Sequence, residues 1–370
     1  MAFPPHGRNL RGGGLGAVRL SQSNSPTKPL RLSVILPNRN HATLLPRALD
    51  ALCRQTRQAD EIIVIDDAST DASREIIKGF MARLPQLRLL ENTQRLGTVL
   101  TLNRGVNAAT SEAIYCGAAD DAVDPDFIRT MLAALEAHPQ AGLACAEARL
   151  ISASGAFLGY RPIILPRYRP GYIAPGAVAQ LLARLDHWVL SVVTIYRRDL
   201  LLRAGGFDPE LGSLCDSFLA RAAALEHGFV FVPKVLGTWN VQEDSFSRSS
   251  STNVTVLSRL IQLGLQRIEA AEGRIFPAGY GGIFVRRMRF ASARLAVGAA
   301  TFDPALIIGL VQQGMATAWV LHAIAHWPRR LRSVAALGWL TLRLRPMSLP
   351  HLLATVIVRA TRKSADQMPG

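Results

Sequence analysis

The sequence predicts an α/β protein: a mainly parallel sheet flanked by helices, followed by a C-terminal helical region. Three observations carry this. From residue 31, short apolar runs alternate with stretches of helical period, the rhythm of βαβ units. Glu61-Ile62-Ile63-Val64-Ile65 is too apolar on both faces for an exposed strand and reads as a buried central one. Residues 255–363 are helical by pattern, with no comparable β-rich stretch.

The elements follow in order. Leu32-Ser33-Val34-Ile35-Leu36 is a strand closed by Pro37, and Leu45, Leu49 and Leu52 set the apolar face of a helix over 44–53. After the strand at 61–65, the polar turn from Asp66 to Asp71 leads into a helix over 72–84, with Asp71 or Thr70 placed to cap its free amides. Leu87-Arg88-Leu89-Leu90 is the third strand and 97–109 its helix. Ala113-Ile114-Tyr115-Cys116 is the fourth strand, ending at Ala119-Asp120-Asp121. Asp124 and Pro125 then supply an N-cap and a first-turn proline for a helix over 126–137. Beyond 142 the regularity drops. Strands are expected over 142–151, 188–196 and 229–235, a Pro/Arg/Tyr loop over 160–175, and a helix over 215–226 that Gly228 stops. The serine-rich segment 245–251 is the best domain boundary. The expected organisation is a basic tail over 1–30, an α/β domain over 31–250 and a basic helical region over 251–370.

With 49% hydrophobic residues the chain can bury a sizeable core, which excludes a disordered or fibrous protein. Cys53, Cys116, Cys145 and Cys215 form no C-x-x-C pair and read as structural thiols of a reducing compartment. No apolar stretch in 1–30 is long enough for the core of a signal peptide, so the expected location is cytoplasmic. The net charge of +15 first suggests nucleic acid or an anionic membrane. Its distribution decides against nucleic acid. Residues 1–30 hold four basic and no acidic residues, 31–250 hold 23 of each, and 251–370 hold 15 basic and four acidic. A nucleic-acid-binding domain would carry the excess on its own folded surface. The clusters Arg286-Arg287-Arg289 and Arg329-Arg330-Arg332 lie beside apolar stretches and suit anionic headgroups on the inner face of a membrane; a solvated Arg-rich face is the plain alternative. Residues 304–327 contain no Lys, Arg, Asp or Glu. Their Gln and His content favours a buried or interfacial helix over a membrane span.

Ligands of an open parallel sheet bind at the carboxyl ends of its strands, near the point where strand order reverses. Two acidic pairs fall at such ends, Asp66/Asp67 and Asp120/Asp121. Either pair alone could be a helix cap. Two in adjacent units suggest one carboxylate for a base or ribose and another for a hard divalent cation that bridges diphosphate oxygens.

These residues also carry a resemblance. The segments 32–40, 47–56 and 61–71 resemble the opening of the family-two glycosyltransferases, and the similarity continues through Asn92, Gly97, Asn103, Gly105 and Ala118-Ala119-Asp120-Asp121 to Gly205-Gly206-Phe207-Asp208, Asp216 and 228–233. It covers about residues 31–250. The resemblance implies a GT-A fold with a Rossmann-like sheet, a nucleotide-sugar donor and inversion at the anomeric carbon, in the synthesis of a cell-surface glycan on a glycan or lipid-linked acceptor. By it, Pro37 and Asn40 belong to the donor-side loop, Asp67 contacts the base or ribose, Asp120 and Asp121 hold Mg²⁺ or Mn²⁺ against the diphosphate, and Asp216 deprotonates the acceptor hydroxyl. Departures from the family pattern are Arg39 for a tyrosine, Ala118 for the first metal acid, Leu102 for an arginine, Cys215 for the glutamate beside Asp216, and Trp239 and Gln242 in the loop that follows. They motivate an alternative, a catalytically impaired GT-A-like protein that binds a sugar nucleotide or scaffolds a membrane complex. A nucleotidyltransferase would show a glycine- and lysine-rich phosphate loop after its first strand, which 37–41 lacks.

Overall fold

The computed structural model describes residues 29–185, 189–241, 251–299, 301–312 and 314–365. The expected tail up to residue 28, Trp188, Gln242 and most of the serine-rich boundary lie outside them.

The first half is built of strand–helix units: β1 Leu32–Asn38, α1 Leu45–Cys53, β2 Glu61–Asp66, α2 Ser73–Phe80, β3 Leu87–Glu91, α3 Thr98–Ala108 and β4 Ala113–Cys116. These four strands are parallel, in the order β3-β2-β1-β4. The chain moves outward from β1 to β3 and returns to the other side of β1 as β4. The strand order therefore reverses between β1 and β4, and a crevice opens at their carboxyl ends, beyond Asn38 and Cys116. β1 and β2 are buried on both faces, as their unbroken apolar runs require.

Past β4 the sheet becomes mixed. β5 Ala122–Val123, α4 Phe127–Glu136, β6 Leu143–Ser152, β7 Phe157–Arg161, β8 Gly171–Ile173, α5 Pro175–Arg184, β9 Thr194–Arg197, α6 Arg198–Arg203, α7 Cys215–His227 and β10 Phe229–Val241 complete it. The order continues β4-β9-β6-β10-β5, with β7 on β6 and β8 on β10. Several expectations are corrected here. The Pro/Arg/Tyr segment contains β8 and the end of β7, because Tyr172 and Gly171 pair with Val230 and Phe231. The strand expected over 188–196 begins only at Thr194, after a 3₁₀ turn at Ser191–Val193. β10 runs six residues past the expected end at 235, to Val241, carried across register shifts by its parallel pairing with β6. Asp124 does not cap α4; its carboxylate accepts from Arg149 at 2.5 Å. Asp71 does serve α2, accepting from Ser73 N at 3.0 Å.

Further helices follow among the described residues: α8 Val254–Glu269, α9 Tyr280–Gly298, α10 Pro304–Val311, α11 Met315–Ala323, α12 Arg329–Leu344 and α13 Leu349–Ala365. The segment 304–327 is two helices rather than one, broken where Gln312 takes a left-handed backbone (φ 49°). No helix among the described residues is long and apolar enough to cross a membrane.

These helices are bonded to the sheet. Arg267 of α8 donates to Asp208 and Glu210 at 3.1 and 2.5 Å. Arg287 of α9 is buried and donates to the carbonyls of Leu182 and Pro346 at 2.6 and 2.7 Å, so it is an internal clamp and not the headgroup contact its cluster suggested. Arg359 of α13 pairs with buried Glu147 of β6 at 2.7 Å and donates to Pro162 O at 2.6 Å.

Gly105 on α3 is where helix meets sheet. A Cβ there would lie 2.4 Å from Ile35 Cγ2 and 2.8 Å from Ile65 Cδ1, both of them in fully buried side chains. Gly105→Ala is expected to lower the free energy of unfolding by about 1–3 kcal/mol, as overpacking does; a denaturant titration that leaves the midpoint unchanged would contradict this packing.

Candidate active site

The crevice at the β1/β4 reversal collects the acidic residues. Asp66 ends β2 and is buried, accepting from Asn38 Nδ2 at 3.1 Å and Ser69 N at 2.9 Å. Ser69 in turn accepts from Asn40 N at 3.0 Å, and Asn40, in a left-handed conformation (φ 53°), accepts from Thr70 N at 2.8 Å. The loops after β1 and β2 are thus one hydrogen-bonded unit. Pro37 stands beside it, opposite Ile65. Arg39 tightens it further, donating to Asp67 O at 2.6 Å and Ala68 O at 3.0 Å. The tyrosine-to-arginine departure is therefore a structural rivet.

Beyond the Arg39 contact, Asp67 is held by four further hydrogen bonds. Its own N–H donates to Asn38 O at 2.8 Å, and its carboxylate accepts from Asn92 Nδ2 at 2.8 Å, Leu96 N at 2.7 Å and Gly97 N at 2.9 Å. Gly97 at φ 88° can turn its amide inward at no steric cost. Burial works against the charge, but the hydrogen bonds outweigh it and hold this carboxyl below its ordinary range.

Asp120 and Asp121 follow β4 and are fastened to the far end of β10. Asn240 N donates to Asp121 Oδ1 at 2.9 Å, Asn240 Nδ2 donates to Asp120 O, and Asn240 Oδ1 accepts from Arg47 of α1 at 3.0 Å. Asp121 turns inward, lining a small cavity with Leu36, Leu52 and Tyr115. Burial and then the neighbouring Asp120 push its carboxyl well above the usual carboxylate range. No group of three or more His, Cys, Asp or Glu converges among the described residues. The donor set at this strand end is two adjacent carboxylates. A hard cation that takes its remaining ligands from water and phosphate needs no more, and its charge would relieve the repulsion at Asp121.

Asp216 lies in the first turn of α7, where the helix dipole favours a negative charge. It accepts from Ser191 Oγ and, at 2.6 Å, from Ser217 N. Behind it are buried Cys116, Cys215 and Tyr196, each pushed upward by burial first and by Asp216 second. With Cys215 in place of a glutamate, Asp216 is the acid in the first turn of this helix. The preceding turn is set by Asn103, whose side chain bonds Phe207 N and O, both at 2.8 Å, close against Gly206.

Asn240, Arg47 and Ser191 were not among the residues singled out from the sequence. Asn240 follows Trp239 in a strand expected to end earlier, and nothing in the spacing marks it.

The geometry now has independent counterparts. The glycosyl transferase family 2 model matches residues 33–169. Over this segment the chain is similar to family 2 glycosyltransferases. The chain is 30% identical over 112 residues to the PGL/p-HBAD biosynthesis glycosyltransferase of Mycobacterium bovis, an alignment that covers 30% of the chain and 44% of that relative. Its fold is similar to that of S. aureus TarS 1–349 in complex with UDP-GlcNAc (TM-score 0.57, 16% identity, 85% of this chain and 92% of that one). It is also similar to the mannosyltransferase PcManGT from Pyrobaculum calidifontis in complex with GDP-Man and Mn²⁺ (TM-score 0.53, 21% identity, 94% and 90%). The fold is GT-A, with the sheet parallel through its first four strands and C-terminal helices beyond it.

Because the folded carboxyl of Asp67 sits below its unfolded value of about 4, its contribution to stability is complete above that pH and lost as pH falls through the folded value. The wild-type thermal midpoint is expected to drop on acidification below about pH 4, and Asp67→Asn, less stable at neutral pH, to show a smaller drop. Equal acid sensitivity in both proteins would contradict the assignment.

Proposed function

We propose that the protein is an inverting glycosyltransferase that moves a sugar from a nucleotide-diphosphate donor to a glycan or lipid-linked acceptor in cell-envelope synthesis. The observation that carries this reading is the placement of Asp67, Asp120 and Asp216 around one strand-order reversal, on three separate strand or helix ends. TarS with UDP-GlcNAc and PcManGT with GDP-Man support a nucleotide-sugar donor, and the relative in PGL biosynthesis supports an envelope product.

In this reading the linked loops at Pro37, Asn40 and Asp67 receive the nucleoside, with Asp67 a fixed acceptor of hydrogen bonds. Asp120 and Asp121 would hold Mg²⁺ or Mn²⁺; the Mn²⁺ in PcManGT supports such a cation. When bound, that cation stabilises charge on the departing diphosphate. Asp216 accepts the proton of the acceptor hydroxyl as its oxygen forms a bond to the anomeric carbon and the bond from that carbon to the diphosphate breaks. Ser191 and Ser217 keep the carboxylate oriented for this. One attack from the face opposite the leaving group inverts the anomeric configuration.

The acceptor reading also has a local support. Arg161 ends β7 opposite Ala148, whose other neighbour on β10 is Gly237, three residues before Asn240. Burial, with Arg294 and Arg359 nearby, pushes its guanidinium down to about 10. Arg359 is matched by Glu147, which leaves Arg161 and Arg294 as the partly buried cations that suit a substrate carrying phosphate, such as a lipid-phosphate-linked sugar. The +11 of residues 251–370 supports a location on the inner face of an anionic membrane.

A panel of UDP-, GDP- and TDP-sugars, with and without Mn²⁺ and with membrane extract as acceptor, tests the reading. Nucleotide release from at least one donor is expected, with roughly 10²–10⁴-fold losses in Asp216→Ala and comparable losses in Asp120→Ala. Binding of a sugar nucleotide without any release would instead support the non-catalytic role.

A further inference from the structure

Helices α11, α12 and α13 each turn an apolar stripe to solvent. On α11, Met315 is 90% and Trp319 74% exposed, four residues apart on one side, while Thr317 and Leu321 face inward. On α12, Leu331, Val334 and Leu342 are 60–72% exposed, at helical spacing, opposite the fully buried Ala336, Leu340 and Leu344. On α13, Leu349, Leu353, Val356 and Ile357 are 55–63% exposed, whereas Thr355 and Arg359 grip the catalytic sheet through Leu165 N and Glu147. Scattered exposed apolar side chains are ordinary; three consecutive helices with the same inside-out division are not.

The charge around these stripes narrows what covers them. Residues 304–365 contain eight Lys or Arg and no Asp or Glu. Arg329, Arg330 and Arg345 are exposed beside the apolar positions. A second copy of the same surface would bring two wholly cationic faces together, which repel. An anionic bilayer supplies both complements at once: headgroups for the arginines and an acyl boundary for Trp, Leu, Val and Met.

We propose that α11–α13 form a monotopic membrane face that inserts these apolar side chains shallowly into the headgroup and acyl boundary of an anionic leaflet. This rests on the membrane location proposed above and deepens it: the attachment is apolar as well as electrostatic, with Arg287 removed from it into the interior. Because α13 is clamped to β6 and to the segment after β7, insertion holds the β6–β7 part of the sheet at a fixed distance from the lipid surface.

The test is co-sedimentation of the full chain with vesicles of phosphatidylcholine alone or mixed with phosphatidylglycerol, at low and high salt, read together with tryptophan fluorescence. Binding to the anionic vesicles, a blue shift of emission and a fraction of binding that survives high salt are expected. Val334→Asp with Leu342→Asp, and separately Leu353→Glu with Val356→Asp, should each weaken binding roughly tenfold while leaving the circular dichroism and donor hydrolysis unchanged. Absence of binding to either vesicle overturns the proposal. So does binding that salt abolishes and these substitutions do not affect. Self-association that the same substitutions abolish would assign the face to a second copy instead. Donor hydrolysis measured without vesicles fails or succeeds independently, so loss of the transferase reading and loss of the membrane face are told apart.

Discussion

The arrangement of the candidate active site depends on one side chain, the amide of Asn240. It bonds the carbonyl of Asp120 and the guanidinium of Arg47, while its backbone N–H bonds Asp121. Three distant parts of the chain meet there: the turn after β4, helix α1, and the last strand of the sheet. The meeting requires β10 to continue past its register shifts at Val232, Val235 and Gly237 and to stay paired with β6 out to Val241. A strand that stopped at 235 would leave the Asp120-Asp121 turn without its bonds to Asn240. The acidic end would then have no fixed position relative to Asp216 on α7, one chain turn before β10 begins.

The same sheet sets two carboxylates in opposite electrostatic states. Asp67 and Asp121 both follow buried parallel strands, and burial acts against charge in both. Asp67 receives three donors, two of them backbone amides aimed by the turn at Leu96 and Gly97, and stays ionised. Asp121 receives one and faces Asp120. The first environment is finished and suits fixed recognition of polar groups. The second has fewer donors and a carboxylate neighbour, which Arg47 offsets only in part. The different roles suggested by order along the chain thus have a physical origin in how many N–H groups each strand end offers.

The parallel half of the fold was legible because β1, β2 and β4 are apolar on both faces, a pattern that only a covered sheet explains. Asp67, Asp120 and Asp216 stood out because their positions relative to strand and helix ends resemble a known family. What stayed hidden is polar and non-local. Ser191 reaches Asp216 from a 3₁₀ turn 25 residues away, and Arg47 reaches Asn240 across 193. Neither separation leaves a periodic trace. Burial of Arg287 went the other way: within a run of arginines it looks like surface charge, and only its three carbonyl acceptors explain why it is inside. The break at Gln312 likewise has no proline or glycine at the turning residue to announce it.

The central claim is that Asn240 holds the acidic strand end in the form that receives a cation and a nucleotide diphosphate. Isothermal titration of UDP and GDP in the presence and absence of Mn²⁺, on the wild type and on Asn240→Ala, tests it without removing any carboxylate. The account predicts Mn²⁺-dependent binding of at least one nucleotide to the wild type, weakened roughly tenfold, or about 1.4 kcal/mol, in the variant. Equal affinity in the two proteins, with the same Mn²⁺ dependence, would contradict it.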